Sequence, residues 1–240
     1  MGILILLFFA ASCTKDEKPS VGFSLKAVDV SAPVQSPNQS FQGSDYENPT
    51  LEWNIAWIYI THLEFDAEFY GISDLTGANK YPDFHYSWQG NQKIDLLDKP
   101  RFFASMELPE GQFKRFELKM TSARFSYTSG PNFFLSGIYG PAFGGTPIEV
   151  AVTNPFEMEL KYDDGEAINT TDGEIFQSLV ELSLSHVFSG ITTEDLDNAE
   201  LTDGWILIST DHNQDLYDKI LKNLHISPED SQVWEVHEIQ

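Results

Sequence analysis

Four polar side chains alternate along one segment of the chain and could do chemistry together. His62, Glu64, Asp66 and Glu68 occupy every second position, so on a β-strand they share one face. Neighbours on that face stand about 6.6–7 Å apart, twice the strand rise, a separation that suits a pair of glycosidase carboxylates or a bound cation. A solvated sheet face that protects an edge has the same pattern, and the sequence favours that interpretation.

A second group of possible ligands lies near the C-terminus. Asp211, Asn213 and Asp215 have the spacing that opens a calcium-binding loop. The sixth and twelfth positions of that loop are Leu216 and Lys222 instead of Gly and Glu. Capping of the following helix by Asp211 or Asn213 is the favoured interpretation. The sequence therefore predicts no cofactor, with Ca²⁺ at these three residues as the alternative.

Aromatic side chains form the third group. Phe84, Tyr86 and Trp88 alternate with polar residues, and Tyr139 and Phe143 lie among glycines. A flat ring presents an apolar body to a sugar, while Tyr and Trp keep a polar handle, and exposed loops often carry binding sites. These five residues are the predicted ligand-binding set, and packing in a core is the alternative.

Motifs of nucleophilic catalysis and phosphate binding are missing from the sequence. It has no G-x-S-x-G and, after residue 13, no S-x-x-K. The glycine-rich stretch Gly140–Gly145 has no Lys, so it does not match a P-loop. We assign no catalytic residue and predict a non-enzymatic protein, with a metal-dependent hydrolase at His62, Glu64 and Asp66 as an alternative.

The charge of the chain limits its partners. Lys and Arg number 14 against 37 Asp and Glu, which gives a net charge of −23. A surface this acidic repels phosphate backbones, so nucleic acid is not an expected partner. The single cysteine, Cys13, excludes an internal disulfide and a cysteine-based metal site, so the fold must be held together by packing.

The N-terminus has the features of a targeting signal. Residues 2–11 are uninterrupted and apolar or small, far short of the ~20 residues that span a bilayer, and they match the apolar region of a secretory signal. We predict a signal peptide at residues 1–12 and a tether at residues 13–20. The small residues before Cys13 resemble a bacterial lipobox, and Lys15-Asp16-Glu17 resembles the surface-export signal of Bacteroidota lipoproteins. This resemblance implies lipidation of Cys13 and a lipid-anchored, surface-exposed protein of the outer membrane.

The segment Trp53–Phe69 is the longest predicted strand. Its odd positions are apolar except for Thr61, and Ala56, Ile58 and Ile60 make its first half apolar at even positions too. Trp53–Ile60 is therefore expected to be buried on both faces and unsuited to a site. Because strands average roughly 5–6 residues, we expect a bend or bulge inside the segment.

The rest of the chain predicts short strands and late helices. Turn residues at Gln89-Gly90-Asn91 separate two predicted strands, and another strand is predicted over Phe176–Phe188. Helices are predicted over Thr193–Leu201, capped by Thr192 or Thr193, and over Gln214–Leu224. The expected fold is mainly β: an antiparallel β-sandwich with one or two short helices near the C-terminus, forming a single domain over residues 21–240.

One region resembles a known family. It contains Ile94-Asp95-Leu96-Leu97, and then Leu108–Phe113 (LPEGQF) leading into a strand. This order is similar to an uncharacterised domain family of bacterial surface lipoproteins, in which a D-L-L segment precedes L-P-x-G-x-[YF]. The resemblance covers roughly Trp53–Met120 and implies a prealbumin-like or immunoglobulin-like sandwich. It supplies no catalytic residues.

These features together predict a lipoprotein of the cell surface that acts as a non-catalytic binding or adhesion module. Glycan is the leading ligand class, and the lipid anchor at Cys13 makes the membrane the other partner. An accessory lipoprotein that contacts another envelope protein is the first alternative. A metal-dependent hydrolase is the second.

Overall fold

The computed structural model describes residues 18–35, 49–71, 83–124, 130–141, 144–162, 167–171, 173–226 and 233–239. Cys13, the predicted signal peptide and Phe143 lie outside these residues. Strands dominate the described part of the chain, so the mainly β prediction is confirmed.

The strands, in chain order, are β1 (Ser20–Val28), β2 (Ser31–Pro33), β3 (Thr50–Gly71), β4 (Phe84–Asp95), β5 (Ala104–Glu107), β6 (Gly111–Ser122), β7 (Phe133–Gly140), β8 (Thr146–Val152), β9 (Phe156–Tyr162), β10 (Ile168–Thr170), β11 (Ile175–Ser183), β12 (Leu201–Thr202), β13 (Trp205–Ile208) and β14 (Val233–Ile239). The helices are α1 (Leu184–Val187), α2 (Thr193–Asp197) and α3 (Gln214–Leu224).

Two sheets pack face to face as a sandwich. The small sheet has the order β14-β11-β1-β5, and the large sheet has the order β10-β6-β3-β7-β8-β13-β12. Strands β2 and β4 also pair with β3, and β9 pairs with β6. Most pairs are antiparallel, as predicted, but β1 with β11 and β8 with β13 are parallel. Parallel neighbours need a long crossover, and the connection from β8 to β13 runs through β9, β10, β11, α1, α2 and β12.

Strand β3 is the centre of the large sheet, and its buried side changes along its length. Trp53 is buried, then the even positions Ala56, Ile58 and Ile60, and then the odd positions from Leu63 onward. The first change coincides with a bulge. Trp53 pairs with Gly137 and Ile55 with Ser136, which leaves Asn54 as the extra residue. The expected bulge is therefore present, and it turns Ile55 outward.

A second irregularity replaces the turn predicted at Gln89–Asn91. Strand β4 is continuous there, with Ile60 opposite Gln92 and His62 opposite Gln89. Gly90 and Asn91 thus face a single residue of β3, which is a β-bulge. The prediction of a turn was wrong because Gly and Asn favour a bulge and a tight turn for the same conformational reason.

The core lies between the sheets and under the helices. Ring contacts join the two sheets, with Phe23 5.6 Å from Phe65 between centroids and Phe116 6.5 Å from Trp234. Helix α3 begins and ends where it was predicted, and Leu216, Ile220 and Leu224 bury its apolar face.

Helix α2 begins where it was predicted but ends at Asp197 instead of Leu201, and helix α1 was not predicted. Helix α2 has Thr192 as its cap, in a capping box with Asp195. The predicted strand Phe176–Phe188 ends early instead, because the Ser183 hydroxyl accepts a hydrogen bond from the His186 backbone N–H and starts α1.

Candidate functional site

A cleft of about 290 Å³ opens where β1 and β11 end. The two strands are parallel and in register from Ser20 opposite Ile175 to Val28 opposite Ser183, so both end at the same place. We call this opening the β1–α1 cleft. Asp29 and residues 32–35 form one wall, residues from the segment 183–191 form the other, and Leu51 and Trp53 of β3 lie at its floor.

The rim of the β1–α1 cleft carries a fixed carboxylate. Ser183 and Ser185 donate hydrogen bonds to Oδ2 of Asp29 over 2.8 and 2.9 Å, and their hydroxyl oxygens lie 2.8 Å apart. Asp29 has a left-handed backbone, with φ of 56°, a conformation that Asp tolerates better than most residues. The exposed carboxylate is therefore positioned before any ligand arrives.

The floor of the cleft is aromatic. The rings of Trp53 and Phe188 lie 5.1 Å apart between centroids, and both side chains are buried. Trp53 can pack this closely because its neighbour on β7 is Gly137. A Cβ at position 137 would lie 2.1 Å from the carbonyl oxygen of Glu52 and 2.9 Å from the Trp53 ring.

Backbone hydrogen bonds hold both walls in place. The Trp53 N–H donates to the Val30 carbonyl over 3.0 Å, and the Thr193 N–H donates to the Gln35 carbonyl over 2.9 Å. The first contact ties one wall to the floor, and the second ties the two walls together beyond the cleft. The cleft is thus formed by the fold itself, which reduces the entropic cost of binding.

The chemistry of the cleft suits recognition. A carboxylate accepts hydrogen bonds from hydroxyl groups, and His186 lines the same opening. The serine hydroxyls donate directly to Asp29, which differs from the nucleophile–imidazole–carboxylate order of a catalytic triad. The volume of about 290 Å³ lies just below the range for ligand pockets, about 300–1,000 Å³, so a small polar ligand fits best.

The structure turns the predicted aromatic platform towards the core. Phe84, Tyr86 and Trp88 are half-buried, and their rings contact Phe113, Phe23 and Phe103, respectively. Tyr139 lies apart from them, is 5% exposed, and donates a hydrogen bond to Asp197 over 2.9 Å. The structure therefore does not bring these four residues together, and Phe143 is outside the described residues.

Of the three predicted calcium ligands, Asn213 stabilises the loop before α3. The Asn213 side chain accepts a hydrogen bond from the Glu200 N–H over 2.8 Å and donates to the carbonyls of Glu200 and Leu207. Asn213 occupies the N-cap position of α3 but does not cap it with its side chain, because its left-handed backbone turns the amide towards residues 200 and 207. The described residues include no group of three or more His, Cys, Asp or Glu arranged to hold a metal ion.

The side chains on the polar face of β3 form one pair within the strand and two pairs with neighbouring strands. His62 contacts Glu64 over 2.9 Å, Asp66 contacts His85 over 2.7 Å, and Glu68 contacts Arg115 over 2.9 Å. The hydrogen bond from His62 lowers the pKa of Glu64 below its ordinary value. These side chains are partly exposed, in line with the solvated face that the sequence favoured, but β3 lies between β4 and β6 along this half and therefore protects no edge.

The first half of β3 differs from prediction. Ile55 is 49% exposed, and Trp57 and Tyr59 are half-buried on the outer face of the large sheet. Trp57 stacks on Phe134 of β7 at 5.2 Å between centroids and meets Tyr59 edge-on at 5.6 Å. We call Trp57, Tyr59 and Phe134 the outer aromatic row. Sequence reasoning missed it because both faces of this half are apolar, which predicts burial on both sides.

Two cations lie on the outer aromatic row. Lys93 Nζ is 4.2 Å from the centroid of Trp57, and the Arg124 guanidinium is 4.0 Å from the centroid of Tyr59. Such cation–π contacts contribute about 0.5–1 kcal/mol at exposed sites, so a stronger partner can displace them.

No protein family, curated protein or solved structure matches this chain. The resemblance to a family of surface lipoproteins therefore stays a prediction. Among the described residues, no helix has the length and apolar character needed to cross a membrane.

Proposed function

We propose that the protein is a lipid-anchored binding module of the cell surface that takes the end of a glycan in the β1–α1 cleft. One observation carries this proposal. The Asp29 carboxylate is held by Ser183 and Ser185 at the rim of a preformed cleft with an aromatic floor.

The chemistry of a sugar matches both parts of the cleft. Its hydroxyl groups donate to a fixed carboxylate, and its C–H groups pack against apolar and aromatic atoms. Because Trp53 and Phe188 are buried, they give the cleft an apolar floor and no open ring face on which a sugar could stack. The small volume of about 290 Å³ favours a terminal sugar over an internal stretch of polysaccharide.

The position of the cleft supports recognition away from the membrane. The proposed tether leads into β1 at Ser20, and β1 ends at Val28 beside the cleft. Eight steps along a strand cover about 26 Å. A chain anchored at Cys13 would hold the cleft at the far end of the sandwich, where an external ligand can reach it.

Glycan-array screening of the purified chain, followed by calorimetry with the best ligand, tests the proposal. In Asp29→Asn the side chain keeps its size but loses its charge. Because hydrogen bonds to charged groups contribute about 1.5–3 kcal/mol, affinity should fall by roughly 10- to 100-fold. Asp218→Asn, on an exposed position of α3, is the matched control and should bind normally. Absence of glycan binding, or equal binding by both variants, would refute the proposal.

A further inference from the structure

We propose that the β1–α1 cleft selects a terminal amino sugar, whose ammonium group pairs with the Asp29 carboxylate. This inference rests on the proposed function, because it names the class of sugar that the same cleft takes. It follows from the hydrogen-bonding capacity and the charge at the rim of the cleft.

Asp29 keeps one carboxylate oxygen for a ligand. Ser183 and Ser185 both donate to Oδ2, over 2.8 and 2.9 Å. Within the described part of the chain no group pairs with Oδ1, and His186 of the same opening forms no ion pair with Asp29. Asp29 is exposed, and an ionised carboxylate has about four lone-pair sites. Oδ1 can therefore accept hydrogen bonds from a bound molecule while the serines keep theirs.

The negative charge of Asp29 has no basic partner among the described residues. Asp29 is the only Asp, Glu, Lys or Arg that lines the cleft. The segments 20–35 and 175–191, which lead into its walls, contain Lys26 as their only Lys or Arg, and Lys26 pairs with Glu181. The net charge of −23 on the chain adds to the negative potential. The cleft therefore attracts cationic groups and repels anionic ones.

The charge of a sugar substituent decides how well it suits Asp29. A hydroxyl group donates one hydrogen bond to the carboxylate, whereas an ammonium group can donate and also carries the opposite charge. The carboxylate of an acidic sugar would face a like charge, which disfavours binding. Because the serines already hold Asp29, the ion pair loses less side-chain entropy than an ordinary surface pair. Among sugars, those with a free amine are therefore preferred.

The apolar floor favours an amino sugar over a bare cation or a simple amine. Leu51, Trp53 and Phe188 line the cleft, and the described residues include no group of three or more His, Cys, Asp or Glu arranged to hold a metal ion. Calcium takes roughly 6–8 oxygen ligands, which an apolar floor does not supply. An amino sugar places its ammonium group at Asp29 and its C–H groups against the floor, so it uses both parts of the cleft.

Titration of the purified chain with methyl β-glycosides tests this inference. The probes are the glycosides of glucose and galactose, each with either a hydroxyl group or an amine at C2, so the two members of a pair differ only at that group. At about pH 7 most of the amine is protonated, since the comparable α-amino group has a pKa of about 8. Saturation-transfer difference NMR measures the dissociation constants, because a single sugar binds weakly. We expect the amino form of at least one pair to bind about fivefold more tightly, the upper part of the range for a surface ion pair.

Two variants decide whether the Asp29 carboxylate causes the preference. Asn also tolerates a left-handed backbone and keeps an oxygen for the two serines, so Asp29→Asn should fold. In this variant the amino and hydroxyl forms should bind about equally. Asp218→Asn removes the same charge from an exposed position of α3 and should keep the preference.

The outcomes separate this inference from the proposed function. The inference alone is overturned if the amino and hydroxyl forms bind equally, or if neither amino glycoside binds although a glycan from the array does. It is also overturned if Asp29→Asn keeps the preference, which would then come from the charge of the whole molecule. Ethanolamine, an amine without a sugar ring, should not compete with the amino glycosides. Equal competition by ethanolamine, or absence of binding by every glycan on the array, would overturn both the inference and the proposed function.

Discussion

At the scale of single residues, Tyr139 shows how environment decides the use of a side chain. Its type and its glycine-rich surroundings predicted a sugar-stacking role. In the structure the ring is buried and its hydroxyl donates to Asp197 over 2.9 Å. Burial, and then the hydrogen bond to Asp197, raises the pKa of the Tyr139 phenol well above its ordinary range. The hydroxyl is thus a structural donor that ties β7 to α2.

Replacing Tyr139 with Phe tests that role. The variant leaves the Asp197 carboxylate without its donor, and we expect the free energy of unfolding to fall by about 1 kcal/mol, measured by urea denaturation. Glycan affinity should not change. Tyr86→Phe is the control, because the Tyr86 hydroxyl donates to the exposed carbonyl of Ser105 and should contribute less. Loss of glycan binding at unchanged stability would instead place Tyr139 in a binding site.

The residues of the β1–α1 cleft could not have been predicted from the sequence. Asp29 and Ser183 lie 154 positions apart and meet only because β1 and β11 pair in parallel. No local pattern encodes that pairing, since each strand alternates in the same way whichever neighbour it has. The polar face of β3 was predictable, by contrast, because its members are neighbours on one strand.

At the scale of elements, the sequence predicted the helices whose formation depends on interactions between residues close together in the chain. The apolar stripe of α3 made that helix predictable, and the Thr192 cap and acidic first turn did the same for α2. The faces of β3 depend instead on the bulge at Asn54, which forms against Gly137 on another strand. A two-residue period that ignores the bulge places Ile55 and Trp57 on the buried side with Trp53, whereas in the structure they lie on the outer face.

Gly137→Ala tests the link between the bulge and the cleft. A Cβ at position 137 would clash with the Glu52 carbonyl and press on Trp53. We expect a loss of stability of about 1–3 kcal/mol, typical of overpacking, and weaker glycan binding because the cleft floor moves. Ser136→Ala, one residue away and on the outer face, should change neither quantity. Normal stability of Gly137→Ala would show that the close approach of β3 and β7 is not needed.

The capping box of α2 predicts a dependence of stability on pH. Burial raises the pKa of Asp195, but hydrogen bonds from Thr192 and Lys219 outweigh it, so the pKa lies below its ordinary value of 3.8. A carboxyl group with a lowered folded-state pKa stabilises the protein above the unfolded-state pKa and loses this effect as the pH falls through the folded-state pKa.

Asp195→Asn should therefore be less stable than the natural protein by about 1 kcal/mol near pH 6, with a difference that shrinks as the pH falls below about 4. The midpoints of urea denaturation at several pH values measure this difference in stability. Asp218→Asn on α3 should show no such convergence. A difference that stays constant down to pH 2 would mean that the charge of Asp195 does not matter.

At the scale of the whole molecule, the excess of negative charge governs the response to salt. Even if every one of the 14 Lys and Arg residues paired with an acid, 23 acidic residues would lack a basic partner. Their mutual repulsion destabilises the compact state. Salt also weakens the ion pairs, but exposed pairs contribute only about 0–1 kcal/mol each, so screening of the repulsion should dominate.

We therefore expect the melting temperature to rise as NaCl increases, mostly below about 150 mM, where the Debye length falls from about 30 Å to about 8 Å. Effects of salt on water structure and apolar burial would instead grow steadily into the molar range. Differential scanning calorimetry from about 10 mM to about 1 M NaCl separates charge screening from these effects on water and apolar burial. A sucrose series at the same molar concentrations is the control, because sucrose is a solute that does not screen charge. A melting temperature that stays flat or falls over the low-salt range would show that the ion pairs contribute more to stability than the repulsion removes.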